Sequence, residues 1–586
     1  MGSNRDSRRL ARIFQEGSGP DVALITNHGY AGAEVPVGGA PDTGGPSMYV
    51  KTLALSLAGM GHRVSIFARG GFPHFDGQRL RDEPEYLSES VRFVFVPGGG
   101  DAFIRKEDMA VALDEQLDWL DAFIRAEAEA KGCKPWEVFQ LVNTHYWDAA
   151  VLGMGLVERW RNDLAWHVIS RLLEGVALSE TLADLWRDRH RLALGQAPVF
   201  HLGRLLLDCE GSPATPVEQR VRASVARWAA VRKMGGQASS MPVEAVEDAL
   251  KKIRNRMAPA LHPMVAADAL GVAILTLSPG QAEHLRTGLE HLDRHVWTPH
   301  SLGVLDDEGQ RNQPAELRRN LKFCDRRDHE RAICDRTNAF AATSPAVAEG
   351  LRSHHGVPVD QIFYFPPCVD GALFRPYLEE ETQASYEFLS AMSGLSVEQL
   401  QEGVILFETS RMDRTKRKDL LIDAFASIVE DCSDCYLFIG GGPANEVYKD
   451  LRHQLEQNPA LAGRAFLTGY IPDEYIGPFF SMADIYLSAS ELEDFGMGVS
   501  QAAAAETAII CSDLVPFAVQ YAAGDALVVH AGDLEDFAGA MRRLVKDPSD
   551  RQARAQRLAK KVKVLDWRAQ THAFLDFLRR SGMAIE

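Results

Sequence analysis

The chain predicts an α/β protein: two doubly wound, Rossmann-like parallel sheets facing a cleft, with a helical insertion in the first. Three observations predict it. Short apolar runs alternate with amphipathic stretches over the first hundred residues, and the same rhythm returns after residue 404. A strand-poor stretch rich in Arg, Leu, Ala and Glu, from about 158 to 291, lies between them. At 586 residues the chain is too long for one hydrophobic core.

The elements follow in order. The first twenty residues hold Arg5, Arg8, Arg9 and Arg12 without an apolar core. They read as a frayed tail or short helix and not as a signal peptide. The apolar run at 22–26 predicts a buried strand, 49–59 has helical periodicity, and Gly61 is its terminator. Runs at 63–67 and 91–96 predict the next strands. The second set lies at 404–407, 436–439, 465–467, 485–487 and 508–510, with a boundary inside 375–402. The expected domains are 21–385, 386–565 and a closing helix at 566–586. Gly235-Gly236 and Ser239-Ser240 mark a loop inside the insertion. A helical subdomain packed on its host is the first reading of it; oligomerisation or an acceptor lid are the functional ones.

Composition narrows the function. Hydrophobic residues make up 46% and charged residues 25%, ordinary for a water-exposed globular chain. The net charge of −18 argues against nucleic acid or an anionic membrane as partner. No apolar run is long enough to span a bilayer. Eight scattered cysteines without framework spacing imply reduced thiols and a cytoplasmic setting. Cys432 and Cys435 form a lone CxxC with no second pair or nearby His, so no metal or redox role is expected.

Two distant segments carry the chemistry. Gly44-Gly45 follows a long loop and opens a helix, offering close backbone approach, N–H donors and a positive dipole end to an anion. Arg411 and Lys416 follow a strand at a spacing that lets a tight loop aim both at one anion. The bland reading is a solvated basic loop, since Arg414, Arg417 and Lys418 are nearby. Glu493 precedes another helix start, where the N–H groups of Phe495, Gly496 and Met497 suit sugar hydroxyls; the bland reading is an acidic helix cap. Together they look built to grip a diphosphate between two domains.

The motifs resemble a known group: His28-Gly29, Asp42-Thr43-Gly44-Gly45, Tyr49-Val50, Pro97-Gly98-Gly99, Ile104-Arg105-Lys106-Glu107, His145-Tyr146-Trp147-Asp148-Ala149 and Thr298-Pro299-His300-Ser301-Leu302-Gly303. The second half adds Ser410 to Lys416, Gly440 to Pro443 and Glu493 to Gly496. On these the chain resembles the retaining GT-B glycosyltransferases of the sucrose-phosphate synthase and sucrose synthase group, over nearly its whole length outside the insertion.

The resemblance implies the roles. Arg411 and Lys416 bind the donor diphosphate and stabilise the leaving group, and Gly44 and Gly45 contact phosphate. Phe495, Gly496, Met497 and Gln501 complete the donor side, and Glu493 holds the donor sugar. His145 and His300 sit near the transferred sugar. Lys106, Arg105 and His28 are acceptor-side candidates. The co-substrate is a nucleotide-sugar, UDP-glucose or ADP-glucose; no other cofactor and no metal is implied. The leaving phosphate takes the acceptor proton in a retaining front-face transfer. By analogy with related folds, the helix around 567–577 crosses back to the first domain.

Four departures stand out. Gln501 replaces the second glutamate of the E-x7-E spacing, which grips ribose in the family. Glu506 replaces a glycine. Pro46 replaces a glutamine beside the glycine turn. Val304, Asp306 and Asp307 follow the HSLG motif where the phosphate-binding synthases carry a basic residue. Three readings follow: a hexosyltransferase acting on a sugar or sugar-phosphate, a related transferase acting on a glycerate-type solute or glycan, and a catalytically reduced scaffold.

Overall fold

The computed structural model describes residues 3–27, 29–33, 43–75, 77, 80–172, 294–310, 315–432, 434–442, 445–493, 495–583 and 585. Most of the expected insertion, from 173 onward, and the candidate His28 therefore lie outside the described residues.

The first sheet has eight described strands: β1 (Asp21–Thr26), β2 (Arg63–Arg69), β3 (Glu85–Ser88), β4 (Val91–Val96), β5 (Leu141–His145), β6 (His295–Thr298), β7 (Ala339–Ala342) and β8 (Ile362–Tyr364). Their order is β3-β4-β2-β1-β5-β6-β7-β8. All pairs are parallel except β3 with β4. Alternation assigns the two faces: Leu24 and Ile66 enter one core, Ile25 and Phe67 the other. The chain works outward from β1 through β2 to β4, then restarts at β5 on the other side. The switch point, where ligands bind such sheets, thus falls between β1 and β5.

The second sheet has six: β9 (Val404–Thr409), β10 (Cys435–Gly440), β11 (Ala465–Gly469), β12 (Ile485–Ser488), β13 (Ala508–Ser512) and β14 (Leu527–Val529). They are parallel, in the order β11-β10-β9-β12-β13-β14, so the switch point lies between β9 and β12. Phe407 and Phe438 face one core; Leu406 and Leu437 face the other.

Strands β3, β5 to β8 and β14 were given no ranges by the sequence reading, although His145 and His300 were expected at strand ends. They are short, and β3 is a half-buried edge. The N-terminal segment forms a helix, Ser3–Glu16, whose buried Phe14 lies under the Arg63 guanidinium at 5.5 Å. The helix Trp567–Arg580 packs on the helix Gly45–Ala58, where Ser56 and Thr571 hydroxyls bond at 2.9 Å and the Trp567 and Tyr49 rings meet at 5.0 Å. Val369 N donates to Leu565 O at 2.8 Å, so two chain segments run side by side at the crossing between the sheets. No helix among the described residues is long and apolar enough to cross a membrane.

Candidate active site

The helix Gly45–Ala58 starts directly after the long β1 loop. Its buried stripe of Ser47, Val50, Ala54 and Leu57 fixes it on the first sheet. Ser47 N and Met48 N both donate to Gly44 O, and Pro46 has no N–H. The N–H groups of Gly44 and Gly45 are left as the donors at this end. The opposing sheet comes close. A β-carbon at Gly44 would lie 3.9 Å from Arg411 Cδ, and one at Gly45 would lie 3.3 Å from Met497 Sδ. Glycine at these positions therefore sets how tightly the cleft closes.

Arg411 and Lys416 lie in the loop after β9, at that sheet's switch point. Arg411 is exposed and, among the described residues, its guanidinium has no ion pair or side-chain hydrogen bond. Lys416 is buried. Its Nζ donates to Glu493 Oε1 at 2.5 Å and to Leu492 O at 3.3 Å, while Ser490 Oγ donates to the same carboxylate oxygen at 3.2 Å. Two switch-point loops, after β9 and after β12, are thereby tied together.

Of the remaining basic residues Arg414 is exposed, Arg417 half-buried and Lys418 buried, so the reading of a solvated loop fails at Lys418. Arg414 pairs with Asp450 at 2.7 Å, and Arg417 with Asp419 and Glu491. Lys418 is buried, and burial lowers its pKa. Its Nζ donates to Glu408 Oε2, to Gly440 O at 2.8 Å and to Ser410 O at 3.2 Å. Glu408 also accepts from Ser410 Oγ at 2.5 Å. This pair holds the root of the Arg411 loop to the end of β10. Sequence reasoning missed it, although one signal was available: Glu408 is the only charge inside the apolar strand Val404–Thr409, and a buried carboxylate needs a partner. Gly441 is required beside it. Its φ is +116°, and a β-carbon there would lie 1.9 Å from Ser410 O.

Gly496, at φ +99°, caps the helix Met497–Ala504, and a β-carbon there would meet Val515 at 2.5 Å. Phe495 is buried and Met497 half-buried. Gln501 is one turn beyond Met497, on the same helix face, and half-buried. Glu506 follows the helix end at φ +60°, with Thr507 N bonded back to Ala502 O at 3.0 Å. A left-handed closing position favours glycine, which accounts for the glycine seen in the resembled group. Glu506→Gly is expected to stabilise the chain by about 1 kcal/mol, the cost of that conformation for a residue with a β-carbon; an unchanged or lower urea midpoint would count against it.

On the first sheet, β5 ends at His145 and β6 runs into His300. His145 Nδ1 and His300 Nε2 are 3.0 Å apart, one donating to the other. Tyr49 packs on both rings, at 5.9 and 5.0 Å. Burial lowers both pKa values, His300 to about 3, and His145 is lowered further by His300. Both are neutral at pH 7. His145 Nε2 is buried with no hydrogen-bond partner. Tyr146 at φ +77° and His300 at φ +60° hold strained conformations side by side, a pattern that clusters at ligand sites. His295 is likewise lowered to about 3 by burial. These depressed values stabilise the fold above pH 6.5. As pH falls from 6.5 towards 3 the unfolded chain binds protons first, so the urea midpoint is expected to drop through that window. A flat midpoint between pH 7 and 5 would argue against buried neutral imidazoles.

The strained Tyr146 lines a pocket together with Lys106, Trp147, Asp306, Lys322, Arg326 and His329 among others. Arg326 lies 4.4 Å over the Tyr146 ring, and Lys106 Nζ lies 6.0 Å from the same ring. Arg105 is exposed, with its Nε 3.4 Å from Oε2 of Glu107, a carboxylate that lines the same pocket. Arg326 was not legible as a site residue, because only the fold brings the helix Phe323–Cys334 against the Ser301 loop.

Three comparisons bear on this geometry. Residues 397–562 match the family described as Glycosyl transferases group 1. The chain is 23% identical over 501 residues to mannosylfructose-phosphate synthase of Agrobacterium fabrum, covering 83% of this chain and 75% of that one. It is 32% identical over 117 residues to a probable sucrose-phosphate synthase of Thermosipho melanesiensis, covering 19% and 25%. The structure of sucrose-phosphate synthase from Thermosynechococcus elongatus aligns over 97% of this chain and all of that one, with a TM-score of 0.58 at 18% identity. The chain thus carries a glycosyl transferases group 1 domain on residues 397–562, set within a GT-B fold.

Proposed function

We propose that the protein transfers a hexosyl group, glucose being the first candidate, from a nucleoside-diphosphate sugar to a sugar-type acceptor with retention of configuration. One observation carries the reading: the start of the helix Gly45–Ala58 meets Arg411 and Met497 across the cleft, so N–H donors and a guanidinium converge on one small volume. A diphosphate held there is met from both sheets. Arg411 and Lys416 then stabilise the charge that develops on the leaving phosphate, which is positioning plus electrostatics. Glu493, already 2.5 Å from Lys416, accepts from donor-sugar hydroxyls. His145 Nε2, buried and unpartnered, supplies a further hydroxyl contact. Phe495, Gly496 and Met497 present the helix start to the donor, and Gln501 faces its ribose. The pocket beside Tyr146, with Lys106 and Arg326, receives the acceptor.

A thermal-shift panel with UDP, ADP, GDP and their glucose conjugates tests this. A ligand at 100 times its Kd adds about 2.7 kcal/mol to the folded state. No shift with any of them at millimolar concentration removes the reading. The relatives are named for sugar-phosphate products, so fructose 6-phosphate and fructose head the acceptor screen, and the product anomer reports retention. Gln501→Glu is expected to tighten nucleotide binding several-fold by charge assistance to the ribose hydroxyls; an unchanged or weaker dissociation constant sinks the ribose assignment.

A further inference from the structure

The acceptor pocket holds a buried guanidinium, yet its charges are already answered. Arg326 Nε donates to Glu330 Oε1 at 2.8 Å, Nη1 to Asp306 Oδ2 at 2.6 Å and Nη2 to Ser301 Oγ at 2.9 Å. Glu330 is committed elsewhere too, since both its oxygens accept from Gly303 N at 3.0 Å. The two carboxylates differ in place. The Glu330 side chain is fully buried, whereas that of Asp306 is 28% exposed and lines the pocket. Asp306 therefore takes the part of the guanidinium fork that an incoming oxyanion would need.

The other cations give an anion little more. Lys322 pairs with Asp108 at 2.7 Å, and Lys106 stands near the Tyr146 ring. The lining places Lys106, Lys322 and Arg326 against Glu107, Asp108, Asp306 and Asp325, with His329 stacked on Trp147 at 4.9 Å. With Glu107 paired to Arg105, Asp108 to Lys322 and Asp306 to Arg326, the lining offers a phosphate dianion no surplus of cations. The same lining suits hydroxyls, since carboxylates accept from them and an ammonium donates to them.

We propose that Asp306 occupies the anion subsite of the acceptor pocket, so that the enzyme selects an uncharged, hydroxyl-rich acceptor over its phosphorylated counterpart. The proposal rests on the glycosyl-transfer reading and narrows it, and it sets this chain apart from relatives named for sugar-phosphate products.

Two arms test it on the full chain. In the first, transfer is measured with matched pairs such as fructose and fructose 6-phosphate, or mannose and mannose 6-phosphate. Wild type is expected to prefer the uncharged member at least tenfold in kcat/KM; a phosphorylated best acceptor overturns the proposal. In the second, calorimetry follows inorganic phosphate and fructose 6-phosphate binding to wild type, Asp306→Asn and Asp306→Ser. Asp306→Asn keeps the shape and removes the charge, guarding against a folding defect in Asp306→Ser. Both variants are expected to bind phosphate at least tenfold more tightly than wild type. Folded variants that gain nothing overturn the proposal. The calorimetric arm needs no turnover: if nucleotide-sugars fail to bind, the transfer reading falls while the assignment of Asp306 is still decided.

Discussion

Arg411→Ala is expected to lower kcat/KM about 10²–10³-fold, roughly 2.7–4 kcal/mol, the usual loss when one preorganised donor to developing oxyanion charge is removed. Its unfolding midpoint should stay at the wild-type value. Arg411 is exposed and makes no ion pair or side-chain hydrogen bond among the described residues, so the fold loses nothing with it. Lys416→Ala should cost as much activity and also some stability, about 1–3 kcal/mol, because the half-buried Glu493 loses its 2.5 Å partner. Paired kinetics and urea melts separate the two effects. Wild-type-like turnover in both variants would remove the diphosphate assignment altogether.

Lys418→Met should produce the largest loss of stability, about 3–5 kcal/mol, because it leaves Glu408 charged, buried and without its cation. Gly440 O and Ser410 O lose their donor in the same step. Lys418→Met combined with Glu408→Leu should recover most of that stability, since an apolar pair replaces an ion pair at little net cost. Activity should stay low in the double variant, because the root of the Arg411 loop is no longer held to β10. A double variant as unstable as the single one would show that the strand-end hydrogen bonds, not the charge pair, carry the stability. Full activity in the double variant would show that Lys418 has no part in placing Arg411.

Much of this arrangement was legible in the residues. Apolar runs such as 22–26 and 404–407 marked strands because a strand buried on both faces must be apolar along its length. Gly44-Gly45, Arg411, Lys416 and Glu493 stood out because each follows a strand and precedes a helix, where parallel sheets place their ligands. The short strands β5 to β8 were less legible, since runs of three to five residues carry little periodicity. Lys418 misled, and Arg326 went unnoticed, for another reason. A basic residue looks solvated in a sequence until the fold sets a carboxylate against it, and those partners are ten and twenty residues away.

By itself, the sequence determined the α/β class, the two sheets, the net negative charge and the strand-to-helix loops at the sheet ends. These are local properties, written in periodicity, composition and the residues at strand ends. Only the tertiary structure decided that Gly44 stands against Arg411, that His145 and His300 share a hydrogen bond, and that Arg326 is already held by Asp306. Those facts are relations between segments tens to hundreds of residues apart. Packing alone sets their distances, and the distances decide which charges are free to meet a ligand.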